Sequence, residues 1–245
     1  MPDPGDTDFL LFWASSNEDF FELLGHYKTE KKGICLTTDP HNADNLRKMD
    51  IVFVESQPVY DQCRALGLPT IKAFGTDTDF FRPNNEIEKD VEYFYPATFS
   101  PWKRQREIAN LGDRLLCVGT TQPDGKDDYR ICKEWGVKIK EGYFPVKEIL
   151  NYYQRTQKML IPAVHGSERT VLEAMSANIP LVITSDNELA CSLANEKIIK
   201  VDPDPVAIRE GIETAFRRIV NTRNHILKNY SEQIYAQKIL EVIES

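Results

Sequence analysis

A histidine, a glycine, a serine and two glutamates cluster near residue 170, with a spacing that suits recognition of a polar or anionic ligand. His165, Gly166 and Ser167 form a short polar turn, Glu168 follows directly, and Glu173 lies five residues further on. Backbone N–H groups at the start of a helix attract anions, and carboxylates accept hydrogen bonds from hydroxyl groups. We therefore expect the function to centre on these residues.

A strand, a helix and a second strand are predicted to position this cluster. Residues 159–164 form an apolar run short enough for a buried parallel strand, and residues 168–177 carry apolar side chains on one helical face. Pro180 ends that helix, and residues 181–184 are predicted to form the next strand. Ligands of such sheets bind at the carboxyl ends of the strands, beside the helix N-termini. The polar turn lies at that edge.

The segment HGSERTVLEAMSANIPLVIT, residues 165–184, resembles the donor site of the GT-B glycosyltransferases of the retaining family 4, usually written E-G-F-G-x-x-x-L-E-A-M-A-x-G-x-P-V-V. Glu173 matches the second acid of the Glu-x7-Glu motif, while His165 replaces the first acid and Asn178 the glycine. The resemblance implies that Glu173 binds the ribose of a nucleotide-sugar donor and that His165 faces the sugar. An imidazole cannot present a bidentate anion, which implies an altered sugar preference or a low activity.

Residues 95–104, YPATFSPWKR, resemble a second segment of the same family, F-V-G-R-L-S-P-E-K-G. Lys103 matches the lysine that neutralises the donor diphosphate, but Thr98 stands where the family has an arginine. Fixed cations stabilise the charge that builds on a departing diphosphate, so Arg104 or Arg106 would have to replace the missing one. A solvated basic helix start is the alternative interpretation of these cations, as a surface glutamate is for Glu173 and a polar turn residue for His165.

The resemblance implies one set of donor-binding residues, with Lys103 and His165 as the candidate catalytic residues. Gly166 and Ser167 would offer N–H groups to the donor, and Arg169 is a candidate phosphate partner, although an exposed arginine is an equal alternative. The complete predicted set is Thr98, Lys103, Arg104, Gly119, His165, Gly166, Ser167, Glu168, Arg169, Thr170 and Glu173.

Strands alternate with helices along the whole chain, which predicts an α/β fold with parallel, doubly wound sheets. Residues 75–83 and 51–67 resemble the interdomain linker of family 4 and the strand and helix that precede it. The resemblance implies two Rossmann-like domains in a GT-B-like arrangement, the first of them reduced. The predicted regions are an acceptor-side domain over 1–75, a linker over 76–90, a donor-binding domain over 91–221, and a helix over 222–245 that packs back toward the first domain.

The acceptor side of the first domain offers only weak candidates. Ser15 and Asp39 follow predicted strands and would face the cleft, and Asp39 would bind an acceptor hydroxyl. Ordinary loop polarity explains both residues equally well. Residues 1–7 are predicted to form a disordered leader.

Composition excludes several classes of function. The chain has 245 residues and a net charge of −8, which argues against a general polyanion binder. No apolar run approaches the roughly 20 residues of a membrane span, and the acidic start is unlike a signal peptide. Five scattered cysteines without a CxxC pair favour free thiols in the cytoplasm. The four histidines have no ligand spacing, so we predict neither a metal site nor a cofactor.

The expected function is retaining, metal-independent transfer of a sugar from a nucleoside diphosphate sugar to an acceptor. The acceptor is a glycan, a lipid or a protein, or less readily a nucleic acid, and a homo- or hetero-oligomer is compatible with the sequence. Because two signature charges are replaced, a nucleotide-sugar-binding subunit or pseudoenzyme that needs a partner is the main alternative. An epimerase or hydrolase acting on a sugar nucleotide is a third.

Overall fold

A computed structural model describes residues 7–17, 19–36, 38–194, 198–215 and 221–244. Within these residues the chain forms two compact units, the first comprising residues 7–74 and 233–244 and the second residues 75–232. Apart from residue 7, the predicted leader lies outside the described residues. Each unit contains its own sheet.

The first unit contains a four-stranded, wholly parallel sheet in the order β1-β2-β3-β4. Its elements are β1 (Thr7–Ala14), α1 (Phe20–Leu23), β2 (Thr29–Leu36), α2 (Ala43–Leu46), β3 (Ile51–Val54), α3 (Gln57–Ala65) and β4 (Thr70–Lys72).

The second unit contains a six-stranded, wholly parallel sheet in the order β10-β9-β8-β5-β6-β7. Its elements are β5 (Val91–Pro96), β6 (Leu115–Gly119), α4 (Lys126–Glu134), β7 (Lys138–Glu141), α5 (Val146–Arg155), β8 (Thr156–Ile161), α6 (Glu168–Ser176), β9 (Leu181–Thr184), α7 (Glu188–Leu193), β10 (Ile199–Val201), α8 (Pro205–Ala215) and α9 (Arg223–Asn229). Helix α10 (Glu232–Ile243) then joins the first unit, where Tyr235, Ile239 and Val242 pack against the core formed by Cys35, Ile51, Phe53 and Ala73.

The predicted α/β class with parallel sheets is confirmed, and it follows from the apolar strands. All four residues of β3 and of β9 are buried, as are the last four of β2 and of β8. Strands covered on both faces by helices require such continuous apolar runs. Among the described residues, no helix is both long enough and apolar enough to cross a membrane.

Several predicted boundaries were wrong. The helix predicted over 222–245 is broken near Tyr230, where the backbone of Thr76 bridges that of Ser231. The carbonyl oxygen of Thr76 accepts from Glu232 N, and the Thr76 N–H donates to Tyr230 O. Strand β8 begins at Thr156 and ends at Ile161, three residues earlier than predicted at each end. Instead of the basic helix start that was the alternative interpretation of the cations around Lys103, the chain forms only a 3-10 turn over Pro101–Lys103. The sequence also predicts a helix over 206–220, and the last five of these residues lie outside the described residues.

Candidate functional site

The loops that follow β5, β6, β8 and β9 converge at the carboxyl edge of the second sheet. This convergence follows from the strand order, because β8 lies between β5 and β9, and β5 lies beside β6. The loop after β5 carries Thr98 and Lys103, β6 ends at Gly119, and the loop after β8 carries residues 165–167 into α6. The sequence-predicted donor-binding residues are therefore assembled at one edge of one sheet.

Lys103 contacts the loop that precedes α6. Its Nζ atom donates to the carbonyl oxygen of His165 at 3.2 Å and to Oγ of Ser167 at 3.1 Å. The hydroxyl of Tyr95, which is on β5, donates to the carbonyl oxygen of Lys103 at 3.1 Å and anchors its backbone. Burial lowers the pKa of Lys103, and the nearby Glu168 carboxylate opposes that shift. The structure thus brings together a lysine and a helix N-terminus, both of which attract anions.

Gly166 and Ser167 both adopt left-handed backbone conformations, with φ of 75° in each. The carbonyl oxygen of Gly166 accepts a hydrogen bond from Nδ2 of Asn187 at 2.9 Å, and the Oδ1 atom of Asn187 caps α7 by accepting from Ala190 N. Ser167 is the residue before α6, yet its side chain makes no cap hydrogen bond to that helix. Lys103 on one side and Asn187 on the other thus fix this loop.

His165 is exposed, and its ring stacks on that of Trp102. The two ring centroids are 5.9 Å apart and the planes differ by 11°. The backbone N–H of Val164 donates to the carbonyl oxygen of Trp102 at 2.8 Å, which joins the two loops beside the stacked rings. Sequence reasoning missed Trp102, although it directly precedes Lys103.

Glu173 lies in the second turn of α6 and is only partly buried. The hydroxyl of Tyr153, on α5, donates to its Oε2 atom at 2.6 Å. Burial raises the pKa of Glu173 to about 7, while the hydrogen bond from Tyr153 and the charge of Arg169 act in the opposite direction. Sequence reasoning also missed Tyr153. The one indication in the sequence is that Tyr152 and Tyr153 are adjacent on the face of α5 that is buried.

The two arginines that the sequence offered as replacement cations are both engaged with carboxylates. Arg104 Nη2 lies 2.7 Å from Oδ2 of Asp186. Arg106 donates through Nε and Nη2 to both oxygens of the fully buried Asp128, at 2.9 and 2.7 Å. Arg104 retains one further donor, because its Nη1 atom is buried and has no hydrogen-bond partner within the described residues. Arg106 is therefore a structural residue, whereas the Arg104 side chain remains 23% exposed.

Thr98 and Gly119 lie at the rim of the site and have structural partners. The hydroxyls of Thr98 and Thr120 share a hydrogen bond of 2.7 Å, and the carbonyl oxygen of Thr98 accepts from Nε2 of Gln105. A Cβ atom on Gly119 would clash with the carbonyl oxygen of Ala97. The glycine therefore permits the close approach of the two strand ends.

Three further predicted residues occupy the first turn of α6. Arg169 is exposed there, whereas Glu168 and Thr170 are partly buried. An acid at Glu168 suits the positive end of the helix dipole. The three side chains lie directly after the loop that contacts Lys103.

The acceptor-side candidates are in the first unit. The Oγ atom of Ser15 accepts from the backbone N–H of Asn17 at 3.4 Å. Asp39 lines an open pocket of about 400 Å³ together with residues that include His41 and Gln62. Their predicted role in binding an acceptor stays a prediction.

A larger pocket of the second unit lies away from this chemistry. It has a volume of about 610 Å³ and lies near the amino ends of β5, β6 and β7. Its charged walls include two ion pairs, Arg114 with Glu92 and Arg155 with Asp90, both at 2.5 Å. The charged groups of this pocket are already paired with one another. The convergence of loops at the opposite edge of the sheet therefore indicates the functional site better than pocket size does.

Comparison with known proteins relates the fold to glycosyltransferases. Neither the protein-family models nor the curated protein sequences give a match to this chain. Among solved structures, it is similar to sucrose-phosphate synthase from Thermosynechococcus elongatus, with a TM-score of 0.76 and 16% identity over 97% of this chain and 73% of the other.

Two further structures agree with the first. HepE from Anabaena, in complex with UDP and glucose, gives a TM-score of 0.72 and 14% identity over 91% of this chain and 73% of the other. A glycosyltransferase from Rickettsia africae gives 0.73 and 14% identity over 96% and 76%. The mixed α/β fold with Rossmann-like parallel sheets is thus shared with glycosyltransferases of the GT-B class, and the predicted fold class is confirmed.

Proposed function

We propose that this protein transfers a sugar from a nucleoside diphosphate sugar to an acceptor. The observation that carries the proposal is the placement of Lys103 over the N-terminus of α6, with Glu173 further along the same helix. A lysine beside the N–H groups of a helix N-terminus suits a diphosphate, and the carboxylate of a partly exposed glutamate suits ribose hydroxyls. The fold is that of glycosyltransferases, one of which was solved with UDP and glucose.

In the proposed reaction the bond between the anomeric carbon and the diphosphate oxygen breaks, and a bond from that carbon to the acceptor hydroxyl oxygen forms. Negative charge builds on the departing diphosphate, which takes up the proton of the acceptor hydroxyl. Lys103 and the N–H groups at the start of α6 would stabilise that charge, since fixed donors in a partly desolvated site need no reorganisation. Arg104, whose side chain is 23% exposed, would add a second positive charge near the diphosphate. His165, held against Trp102, would face the sugar. Retention of configuration and independence of a metal ion are parts of the proposal that come from the family resemblance alone.

The first experiment is a binding screen by thermal shift with UDP, GDP, dTDP, ADP and CMP and their common sugars. A ligand that binds only the folded protein raises Tm by mass action. We expect one nucleoside diphosphate and its sugar derivatives to raise the Tm of the wild type and to leave the Tm of Glu173→Ala unchanged. If no nucleotide raises Tm, the donor site does not exist as proposed.

A second candidate function is a nucleotide-sugar-binding subunit that requires a partner for turnover. The pairing of Arg104 and Arg106 with carboxylates favours it, because the arginine that Thr98 replaces has no fully available substitute. Both candidates predict nucleotide binding. Release of diphosphate and sugar transfer by the isolated chain would exclude the second candidate, and NMR of the product's anomeric configuration, with and without a chelator, tests retention and metal independence.

A further inference from the structure

Tyr153 is a buried tyrosine whose hydroxyl is directed at the candidate ribose-binding carboxylate. Its ring is fully buried and lies edge-to-face against Phe81 and Phe94, with centroid distances of 5.2 and 5.5 Å. Such aromatic contacts leave the ring little freedom. The 2.6 Å hydrogen bond to Oε2 of Glu173 is therefore made by a donor fixed in position.

This inference rests on the proposed function, because it concerns how Glu173 meets the nucleotide. We infer that Tyr153 is a positioning residue, whose hydroxyl orients the Glu173 carboxylate toward the ribose hydroxyls. A carboxylate has about four acceptor positions, so one hydrogen bond from Tyr153 leaves the others available. The partial exposure of Glu173 gives a ligand access to them.

Two groups act on the ionisation of Glu173 against the effect of burial. Tyr153 faces it from α5, and Arg169 contributes its charge from α6 itself. Thr170, also on α6, lies near the Tyr153 side chain and acts to lower the pKa of that tyrosine. Because the pKa of Glu173 is already about 7 with the tyrosine in place, loss of the hydroxyl raises it further. A protonated carboxyl group is a weaker acceptor than the ion.

The test compares UDP with 2′,3′-dideoxy-UDP, which lacks both ribose hydroxyls. Tyr153→Phe keeps the ring and its contacts and removes only the hydroxyl. At neutral pH we expect this variant to bind UDP about tenfold more weakly than the wild type, and to bind the dideoxy compound equally well. The matched control is Tyr152→Phe, at the adjacent position of α5, whose hydroxyl donates to Glu148 instead. It should leave both dissociation constants unchanged.

The pH profile supplies a second readout. UDP affinity of the wild type should fall as pH drops below about 7, where Glu173 takes up a proton. In Tyr153→Phe the midpoint should move to higher pH. The wild type alone also gives a test that needs no variant, since its preference for UDP over the dideoxy compound should decline through the same range.

Three results would overturn the inference. Equal losses of affinity for both ligands in Tyr153→Phe would mean general structural damage. An unchanged UDP affinity and midpoint, or a wild-type preference that is constant with pH, would show that the hydroxyl does not act through Glu173, while the proposed function would stand. Failure of the wild type itself to bind any nucleoside diphosphate is a different result, because it removes the proposed function and this role with it.

Discussion

The Nζ atom of Lys103 lies only 2.5 Å from the position that a Cβ atom would occupy on Gly166. The absence of a side chain at residue 166 therefore allows the ammonium group to reach the loop before α6, where it donates to His165 O and Ser167 Oγ. The same glycine adopts φ of +75°, a conformation that costs other residues roughly 1–2 kcal/mol. Residue 166 must therefore be small enough to leave space for Lys103 and must also adopt a left-handed backbone conformation, and glycine meets both requirements.

Gly166→Ala should weaken both nucleotide binding and the fold, whereas a matched glycine away from Lys103 should affect the fold alone. The added methyl group displaces the flexible end of Lys103, so we expect UDP to bind at least about tenfold more weakly. Unfolding in urea should show a loss of about 1–2 kcal/mol from the backbone strain. The matched control is Gly136→Ala, at φ of +76° with no atom within 4 Å of the added Cβ. It should lose similar stability and keep its UDP affinity, and a similar loss of affinity in both variants would contradict the explanation.

Removal of the Lys103 charge should affect turnover more than donor binding. Lys103→Met deletes a cation that is expected to stabilise charge on the leaving diphosphate, an interaction that strengthens in the transition state. We expect kcat to fall about 100-fold or more, measured as diphosphate release. Lys147→Met, which changes an exposed lysine of α5, serves as the control and should retain the wild-type rate. Unaltered kcat in Lys103→Met would remove this residue from the catalytic set.

Trp102→Ala should distinguish the sugar part of the site from the nucleotide part. The indole stacks on His165, whereas the hydrogen bond from Val164 uses the Trp102 carbonyl oxygen and survives the substitution. We expect calorimetry to give an unchanged Kd for UDP and a Kd about fivefold higher for the UDP-sugar, because the freed imidazole loses rotamer freedom on binding. An equal increase in Kd for UDP and for the UDP-sugar would show that Trp102 does not act on the sugar part of the site.

Asp128 should be important for stability and not for chemistry. Its carboxylate is fully buried and accepts two side-chain hydrogen bonds from Arg106. Asp128→Ala removes these charge-assisted hydrogen bonds, and because the Arg106 side chain is 41% exposed and can be solvated, we expect a loss of about 2 kcal/mol in unfolding free energy. The neighbouring Asp127 is 75% exposed and pairs with Arg130 at 3.6 Å, so Asp127→Ala should change stability by less than about 0.5 kcal/mol. Comparable losses of unfolding free energy in the two variants would show that burial of the Asp128 carboxylate does not determine its contribution to stability.

The sequence was sufficient for those features that depend on local pattern. Apolar runs predicted the parallel strands, and the position of α6 directly after a polar turn predicted where His165 and Glu173 would lie. It was insufficient for contacts between distant segments. The sequence around Tyr153 does not indicate that its hydroxyl contacts Glu173. The sequence around Arg106 likewise does not indicate that Asp128 accepts its hydrogen bonds. The broken helix at Tyr230 has the same cause, since the bridge to Thr76 joins residues far apart in the chain.

The ionisation of Glu173 should make the protein less stable as pH rises toward neutrality. The pKa of this carboxyl is about 7 in the folded chain against an ordinary 4.5, so the folded state binds more protons than the unfolded state between these values. By linkage, the stabilising contribution is complete below pH 4.5 and is lost as pH rises through about 7. The shift corresponds to about 3 kcal/mol at most.

Glu173→Gln tests this directly, because the amide oxygen still accepts from Tyr153 but the side chain cannot ionise. We expect urea unfolding to show the variant and the wild type equally stable in acid, with the variant more stable above neutral pH and unable to bind UDP tightly. Glu210→Gln, on an exposed position of α8, should keep the wild-type pH dependence. An identical pH dependence in Glu173→Gln and the wild type would show that Glu173 ionises in the folded chain at its ordinary pKa. If Glu173→Gln is more stable than the wild type but binds UDP weakly, the ionised Glu173 is needed for function although it destabilises the fold.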